Sequence, residues 1–507
     1  MKIVIVGGGT AGWITLAYLA ATTDLDITII HSNEIDIMGV GESTTPTIRH
    51  VAQTVGIDES KWMKDGKATF KYGIEFLDFN KKGSRWFHSF DDLIPSQCFG
   101  QPLSQFGKET YSQDLSNVEY FLKMRSLDPE KFNSDFFNRS VGAQEFLLEN
   151  KLSPYNQYGI VNIGDFPGYS YHINAFEFGQ SLRAHTPAEK YKEIVATVES
   201  VNYNNQGVES LTLKDGTIIE GDIFFDCTGF KRLLIGNLTD WAHYDELHND
   251  RAVWGPVKGL QLWNPSTKAV AQDAGWIWVT PTQGQVGSGF VYDSKFKTDE
   301  QAVAQLTTFW ADQGHEWKPA QSVKFDGGRL RNIAVNNVIA NGLGQSFIEP
   351  LEATSIMVTC VTVMAFSKQY NKHQGWSSRS SKVLSNVMAK FLNNTKDFIK
   401  YHYQLSERTE EYWMQYKNPN AISEVCNTID ERLKMSWLNK GETLLNGWNW
   451  TSMLVGYDKQ YTNSLPDLTQ RQLEEYLYFT DMLMSNYEFL TKDNESIQDR
   501  LEKIYTQ

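Results

Sequence analysis

The chain opens on a buried-strand pattern, KIVIV at residues 2–6, and runs directly into GGGTAGW. An Ala- and Leu-rich segment continues to about residue 21, and DITII at 26–30 supplies a second strand. Gly7, Gly9 and Gly12 therefore follow a strand and open a helix, the context in which GxGxxG spacing carries information. Such glycines allow a tight turn and bring a pyrophosphate close to the N–H groups of a helix N-terminus, where the dipole favours negative charge. Thr10, Ala11 and Trp13 share that turn and are candidate cofactor contacts with the glycines. A βαβ start of this kind commits the chain to an α/β fold built on a parallel, Rossmann-type sheet.

About twenty residues beyond such glycines the fold offers an Asp or Glu to the ribose hydroxyls. This chain has His31, whose ring nitrogen can accept that hydrogen bond, with Ser32 and Glu34 as substitutes. Two later strand–turn segments, FFDCTGF at 224–230 and VIANGLGQSFIEP at 338–350, lie far from the first motif. Discontinuous pieces of this kind are expected around a flavin and favour FAD over NAD.

The formal charge of −14 argues against a nucleic-acid partner, which would require a surplus of Lys and Arg. Cys98, Cys227, Cys360 and Cys426 form no CxxC pair, so neither a zinc site nor a disulfide framework is predicted, and a reducing cytosol fits. Met1 leads straight into a strand without a signal-peptide pattern, and the longest apolar run, around 356–366, is too short to span a bilayer. The expectation is a cytoplasmic protein with no membrane partner and no metal. Its 15 tryptophans offer stacking surface for a flat ligand.

Residues 85–180 lack clean periodicity and read as an insertion carrying pocket residues. Residues 190–226 read as a meander ending in a buried strand, 253–294 as further strands, and 335–367 as strand, Gly-containing turn and helix. After about 380 the 3.6-residue spacing predicts helices. The predicted architecture is a Rossmann-type FAD-binding domain with an inserted β-sheet substrate region and a C-terminal helical subdomain. The division is a discontinuous FAD-binding module over 1–370, with substrate-site segments inserted at about 85–180, and a helical substrate-side subdomain over 371–507.

ATFKYGIEFLDF at 68–79 alternates, with Phe70, Tyr72, Ile74 and Phe76 on one face of a predicted strand and Lys71, Gly73 and Glu75 on the other. A lysine on such a polar face normally points to water. In EPLEATSI, Glu349 and Glu352 sit where acids favour a helix N-terminus, and Thr354 and Ser355 can cap a helix that is apolar on most sides. The positive end of a buried helix attracts a small anion. Trp276 and Trp278 share a strand face, as core residues do, and so do His88 and Phe90 in RWFHSF.

Taken together, GGGTAGW, GVGESTTP, GWIWVTP and EPLEATSI resemble the flavin-dependent halogenases, in the tryptophan-halogenase branch. The resemblance runs in register from residue 1 to about 370 and thins over the C-terminal helices. GWIWVTP is the most specific motif, close to a WxWxIP signature with Thr280 in place of Ile. The resemblance implies FAD reduced by a separate flavin reductase, with O2 and a halide ion as co-substrates. It further implies hypohalous acid that travels through a tunnel to a lysine beside an aromatic substrate. By resemblance that lysine is Lys71 and the second catalytic residue is Glu352, which implies that the polar face of 68–79 lines a buried reaction chamber in which Gly73 leaves room beside the Lys71 ammonium. Gly41, Glu42, Ser43, Gly342 and Ile356 fall at the cofactor, and Thr354 and Ser355 at the halide. Trp276, Trp278 and Pro281 fall at the barrier between flavin and organic substrate, and His88 and Phe90 at one face of the arene.

The C-terminal clamp departs from the family pattern. Leu444 and Leu445 stand where a Phe-Trp pair is expected, and no tyrosine pair precedes them. Trp448 and Trp450, displaced by a few residues, are the candidate substrate contacts there. Buried polar groups without partners are costly, so free tryptophan should bind poorly, and an indole- or phenol-like arene is expected. Lys71 can act as an ammonium hydrogen-bond donor or as a neutral amine that forms a haloamine. A flavin monooxygenase hydroxylating an aromatic and a non-catalytic FAD-binding homologue are the alternatives. The family is commonly dimeric, which implies a homo-oligomer, and the reductase need not form a stable complex.

Overall fold

Ile3, Val4 and Ile5 are fully buried because Lys2–Val6 is an interior strand, flanked in parallel by Asp26–His31 and Ile223–Asp226. The computed structural model describes residues 1–34, 41–90, 117–156, 168–373, 375–435, 445, 447–463, 465 and 468–506; Cys98 and Leu444 lie outside them. The six-stranded sheet continues in parallel to Tyr191–Val195 on one side and to Val338–Ala340 on the other, where Ala334–Val335 adds an antiparallel edge. Helix Thr10–Thr22 packs on this sheet and is buried from Gly12 to Ala20, which explains its nearly uniform apolar composition. The predicted meander is present as Val198–Asn204, Gly207–Leu213 and Ile218–Glu220, antiparallel to one another, just before Ile223–Asp226 enters the core.

A second, seven-stranded sheet runs in the order Gln321–Lys324, Arg251–Lys258, Gln285–Tyr292, Gly275–Thr282, Ser266–Gln272, Gly73–Leu77 and Arg85–Ser89. Only the contact of Ser266–Gln272 with Gly73–Leu77 is parallel. Helix Asp299–Ala311 covers its outer face over a separate apolar cluster that includes Val253, Ile277 and Leu306.

The stretch 68–79 is not the single strand its alternation predicts. Thr69–Lys71 pairs with Ser170–Asn174, which also pairs with Gly41–Ser43, whereas Gly73–Leu77 joins the seven-stranded sheet. Tyr72 sits at the switch, its N–H bonded to the Pro265 carbonyl at 2.6 Å and its own carbonyl receiving the Phe90 N–H at 2.8 Å. Both faces are therefore covered, and the polar face is not a solvent face: Lys71 is 0% exposed, and Glu75 is bonded by Ser266 and Arg85. Gly73 serves a different contact from the one expected of it beside Lys71. A Cβ there would lie 2.2 Å from the His88 carbonyl oxygen, so the missing side chain is what lets the two strands close.

The insertion folds as helices Asn117–Leu127, Ser134–Val141 and Gln144–Glu149 with strands Leu152–Asn156 and Ser170–Asn174. The C-terminal part is helical as predicted, from Ser378–Gln404 to Ile497–Thr506, except that strand Asn494–Ser496 returns to pair with Leu152–Asn156. One apolar cluster reaches from Ile3 to Ile504. Among the described residues, no helix is long and apolar enough to cross a membrane, and no group of three or more His, Cys, Asp or Glu side chains is placed to hold a metal ion.

Candidate active site

Gly7 leaves the first strand with φ +122°, and a Cβ there would lie 2.2 Å from the Cys227 carbonyl oxygen. A Cβ on Gly12 would meet the Gly7 carbonyl oxygen at 1.9 Å, so this turn accepts only glycine. The position of a Cβ on Gly9, by contrast, has nothing within 4 Å, which leaves the helix N-terminus open on that side. Gly342, at φ +76°, packs so closely that its Cβ would lie 2.6 Å from that of Ala11, bringing the segment after Val338–Ala340 against the first turn that contains Thr10. Two close backbone approaches around an uncovered helix N-terminus fit the pyrophosphate of a dinucleotide.

His31 ends its strand, but its Nε2 is bonded to Glu193 at 2.7 Å, and Arg183 holds the same carboxylate at 2.7 Å. Sequence spacing could not find Glu193, 162 positions away; the sheet order places Tyr191–Val195 beside Asp26–His31. Ser32 is bonded to Thr197, and Glu34 pairs with Lys214 at 2.6 Å. The Trp13 ring is buried, edge-on to His31 at 5.5 Å and beneath Arg183, where it packs the core.

Gly41–Ser43 lies beside Ser170–Asn174, and Glu42 is crowded so that burial pushes its carboxyl up to about 7. Ser43 bonds Thr267 at 2.6 Å, Thr267 bonds His172 Nε2 at 3.0 Å, and His172 Nδ1 lies 3.2 Å from the Thr69 hydroxyl. This buried chain ties the segment to the strand that ends in Lys71. Lys71 Nζ donates to the Thr44 carbonyl at 2.9 Å and stands 4.9 Å from the centre of the Phe90 ring. Burial pushes the Lys71 ammonium down to about 7, against the opposing attraction of Glu352.

Glu352 ends the short turn Pro350–Glu352, and Ala353 follows in the left-handed region at φ +56°, a conformation that costs energy for a residue with a side chain. Neither acid acts as a helix cap. Glu352 faces His88 Nδ1 at 3.1 and 3.0 Å and His402 Nε2 at 2.8 Å. Burial would raise this carboxyl, but His88 and His402 outweigh it and bring it down to about 2. Glu349 turns instead to Asn249 and Tyr403, and burial pushes it up to about 7. His402 was not legible as a site residue because helix Ser378–Gln404 shows only its apolar period; it lies stacked on Phe76 at 4.6 Å.

Helix Thr354–His373 starts at Thr354, and Ile356 is buried in its first turn. The expected capping is not what the two hydroxyls do: among the described residues neither Thr354 nor Ser355 has a side-chain hydrogen-bond partner. Both line a cavity of about 10 Å³ with Gly342, Ser346, Ile348 and Val358. That is room for one water-sized particle at the positive end of a 20-residue helix.

On strand Gly275–Thr282, Trp276 pairs across with Val291 and Trp278 with Gly289. A Cβ on Gly289 would lie 2.1 Å from the Trp278 ring, so glycine provides that ring's seat, 6.2 Å from the Trp276 ring centre. Pro281 alternates to the other face and, with Val279 and Lys268, lines an outer groove of about 470 Å³; its carbonyl receives the Thr69 hydroxyl. Lys71, Glu352, His88 and Phe90 are thus linked by direct contacts or charge, whereas Trp448 and Trp450 are not in that group. Trp448 stacks on Phe137 at 4.2 Å and Trp450 stands edge-on to Phe398 at 5.1 Å, both about 1% exposed. The residue between them, Asn449, reaches His88 Nε2 at 3.2 Å.

The tryptophan halogenase family profile matches residues 2–470. A tryptophan 6-halogenase of Streptomyces toxytricini is 30% identical over 441 residues, 83% of this chain and 82% of that one. The solved structure of a tryptophan halogenase from Shewanella frigidimarina NCIMB 400 superposes with a TM-score of 0.84 at 25% identity, covering 100% of this chain and 98% of the other. A flavin-dependent halogenase from Brevundimonas sp. BAL3 superposes with a TM-score of 0.78 at 25% identity, covering 99% of each chain.

Proposed function

Because the chain belongs to the tryptophan halogenase family of flavin-dependent enzymes, we propose that it halogenates an electron-rich arene through Lys71 and Glu352. The observation that carries this reading is a lysine with no solvent exposure, held next to the Phe90 ring and attracted by a buried carboxylate that two imidazoles keep ionised.

FAD fits the turn described above: Gly7, Gly9, Thr10, Ala11, Gly12 and Gly342 would hold its pyrophosphate, and the His31–Glu193 pair would meet its ribose. Reduced FAD, supplied by a separate reductase, would with O2 furnish the two-electron oxidation of halide to hypohalous acid. The Thr354 and Ser355 hydroxyls, unpartnered over a cavity of single-ion size, would bind the halide. Trp276 and Trp278 would keep the organic substrate on the far side of the cofactor. Lys71 would hold and aim the hypohalous acid, and Glu352 would stabilise the cationic ring and accept its proton.

The substrate proposed is an indole- or phenol-like arene other than free tryptophan. Leu445 stands where the family pattern calls for an aromatic, and Trp448 and Trp450 are committed to the core. The domain division at about residue 370 is proposed in the same sense, with the later helices on the substrate side.

Purified protein with a flavin reductase, NADH, FAD and a panel of arenes is expected to give halide-dependent mass shifts with chloride, bromide or iodide. Hydroxylated product independent of halide, or no product across a broad panel, would overturn the reading. Thr354→Val combined with Ser355→Ala is expected to raise the halide KM about tenfold or more while FAD affinity stays unchanged. Gly342→Ala is expected to weaken FAD binding about tenfold, measured by flavin titration, because its Cβ would meet Ala11 and its φ is positive. Wild-type FAD affinity in that variant would remove this turn from the cofactor site.

A further inference from the structure

We propose that His402 is a positioning residue that fixes the rotation of the Glu352 carboxylate, so that Oε2 is the oxygen presented to the substrate, and that Tyr457 selects the imidazole tautomer this requires. The inference rests on the catalytic assignment of Glu352 above.

A carboxylate offers about four lone-pair directions on its two oxygens. Among the described residues, Oε1 of Glu352 receives two contacts, from His402 Nε2 at 2.8 Å and His88 Nδ1 at 3.1 Å, whereas Oε2 receives one, from His88 Nδ1 at 3.0 Å. Oε1 is therefore occupied by the wall, and Oε2 keeps acceptor capacity. Without His402 the contact with His88 alone, shared almost equally between the two oxygens, would not distinguish them.

The His402 ring cannot turn to serve another partner. It stacks on Phe76 at 4.6 Å and on Trp86 at 5.6 Å, with Phe398 edge-on at 5.3 Å. Its remaining nitrogen, Nδ1, lies 3.2 Å from the Tyr457 hydroxyl. Burial raises the Tyr457 pKa well above its ordinary value, so the phenol keeps its proton and donates it in a hydrogen bond to Nδ1. Burial also lowers the His402 pKa, against the Glu352 hydrogen bond that favours protonation, so the ring is neutral and its one proton sits on Nε2, facing Glu352. The opposite tautomer would set the Nε2 lone pair against Oε1. Among the described residues, the charged and titratable groups around Glu352 are Lys71 on strand Thr69–Lys71, His88 on strand Arg85–Ser89, His402 on helix Ser378–Gln404, and Tyr457 just after helix Gly447–Gly456.

His402→Phe preserves the stacking and deletes the N–H. It is expected to lower kcat about 30-fold or more with the arene KM within about threefold, and to bring an acid limb into the pH profile of kcat as Glu352 loses a donor while staying buried. His402→Gln, which restores an N–H, is expected to recover about tenfold of that loss, and Tyr457→Phe to cost about threefold to tenfold. NMR of the protein labelled with 15N-histidine is expected to show, among its ten imidazoles, an Nε2-protonated neutral signal that is lost in His402→Phe and, if that variant does not fold, in His402→Gln, which assigns it to His402. Wild-type kcat and pH profile in His402→Phe, or an Nδ1-protonated His402, would overturn the inference. Absence of halogenation by the wild-type protein would overturn the functional reading instead, and the NMR signal would still decide the tautomer.

Discussion

Lys71→Ala is expected to give a folded, FAD-binding protein whose halogenation rate is lower by about 10³-fold or more, measured as halogenated product by mass spectrometry. The effect follows from geometry. Lys71 Nζ stands beside the Phe90 ring, and its bond to the Thr44 carbonyl aims it from a strand end that packing holds still. On the proposed mechanism, removing the amine removes both the donor that would polarise hypohalous acid and the point from which it would be directed. A second consequence separates function from structure. Burial has pushed the Lys71 ammonium down from 10.5 to about 7, so between those values the unfolded chain carries a proton that the folded chain has lost. This group's contribution to stability therefore rises with pH across that window, and at neutral pH the buried lysine is a net cost. Lys71→Met should consequently melt at the wild-type temperature or above it while being inactive, the pattern of a residue kept for chemistry at the expense of stability. The Phe90 ring, the Thr44 carbonyl and Glu352 all favour the ammonium, so kcat is expected to fall as pH rises through about 7. A rate that climbs through the same region would assign the work to the neutral amine. Wild-type rates in Lys71→Ala would end its catalytic assignment.

Much of the fold was legible because local pattern and tertiary role agree. KIVIV and DITII are continuous apolar runs, and both became interior parallel strands; the glycines between them became a turn that a single methyl would block at Gly7 and Gly12. The stretch 68–79 shows where such reading stops. Its period of two is real in both halves, but alternation cannot register that Tyr72 hands the chain from one sheet to another, because each partner strand lies far off in sequence. Residue statistics alone assign the polar face to solvent, whereas resemblance assigns it to a buried chamber, and the fold bears out the second, with Lys71 0% exposed.

The candidate site was singled out in the sequence by family motifs and not by residue type, which alone reads Lys71 as a solvent-facing lysine and Glu352, Thr354 and Ser355 as groups of a helix N-terminus. It was illegible where the partner is an ordinary residue on a helix. His402 and Asn449 sit among apolar neighbours whose spacing gives no sign that one nitrogen of each reaches the Glu352–His88 pair. Trp448 and Trp450 show the converse: large aromatics near the expected clamp look like substrate contacts, yet their rings are consumed by Phe137 and Phe398. The same limit applies to Glu193, which strand order brings to His31 from beyond the insertion.

Glu352→Gln is expected to lower kcat about 100-fold with the arene KM within about threefold of wild type. The substitution is nearly isosteric but wrong in two respects. A carboxylate accepts from both His88 and His402, whereas an amide that keeps its oxygen toward His402 puts an NH2 where Oε2 stands 3.0 Å from His88 Nδ1, so a donor there faces a donor. The buried negative charge also disappears, and with it, on the proposed mechanism, the group that would stabilise the cationic ring and accept its proton. Two further readouts distinguish this from simple misfolding. Glu352 is what holds the Lys71 pKa up against burial, so in Glu352→Gln the alkaline limb of the rate profile should move below about 7. Loss of the proton from the ring should also become slow enough that a substrate deuterated at the reacting carbon shows a larger isotope effect than with the wild-type protein. An unchanged limb together with wild-type kcat would show that Lys71 works without this carboxylate. A lowered limb with unchanged kcat would confine Glu352 to setting the charge of Lys71, and the ring proton would then leave by another acceptor.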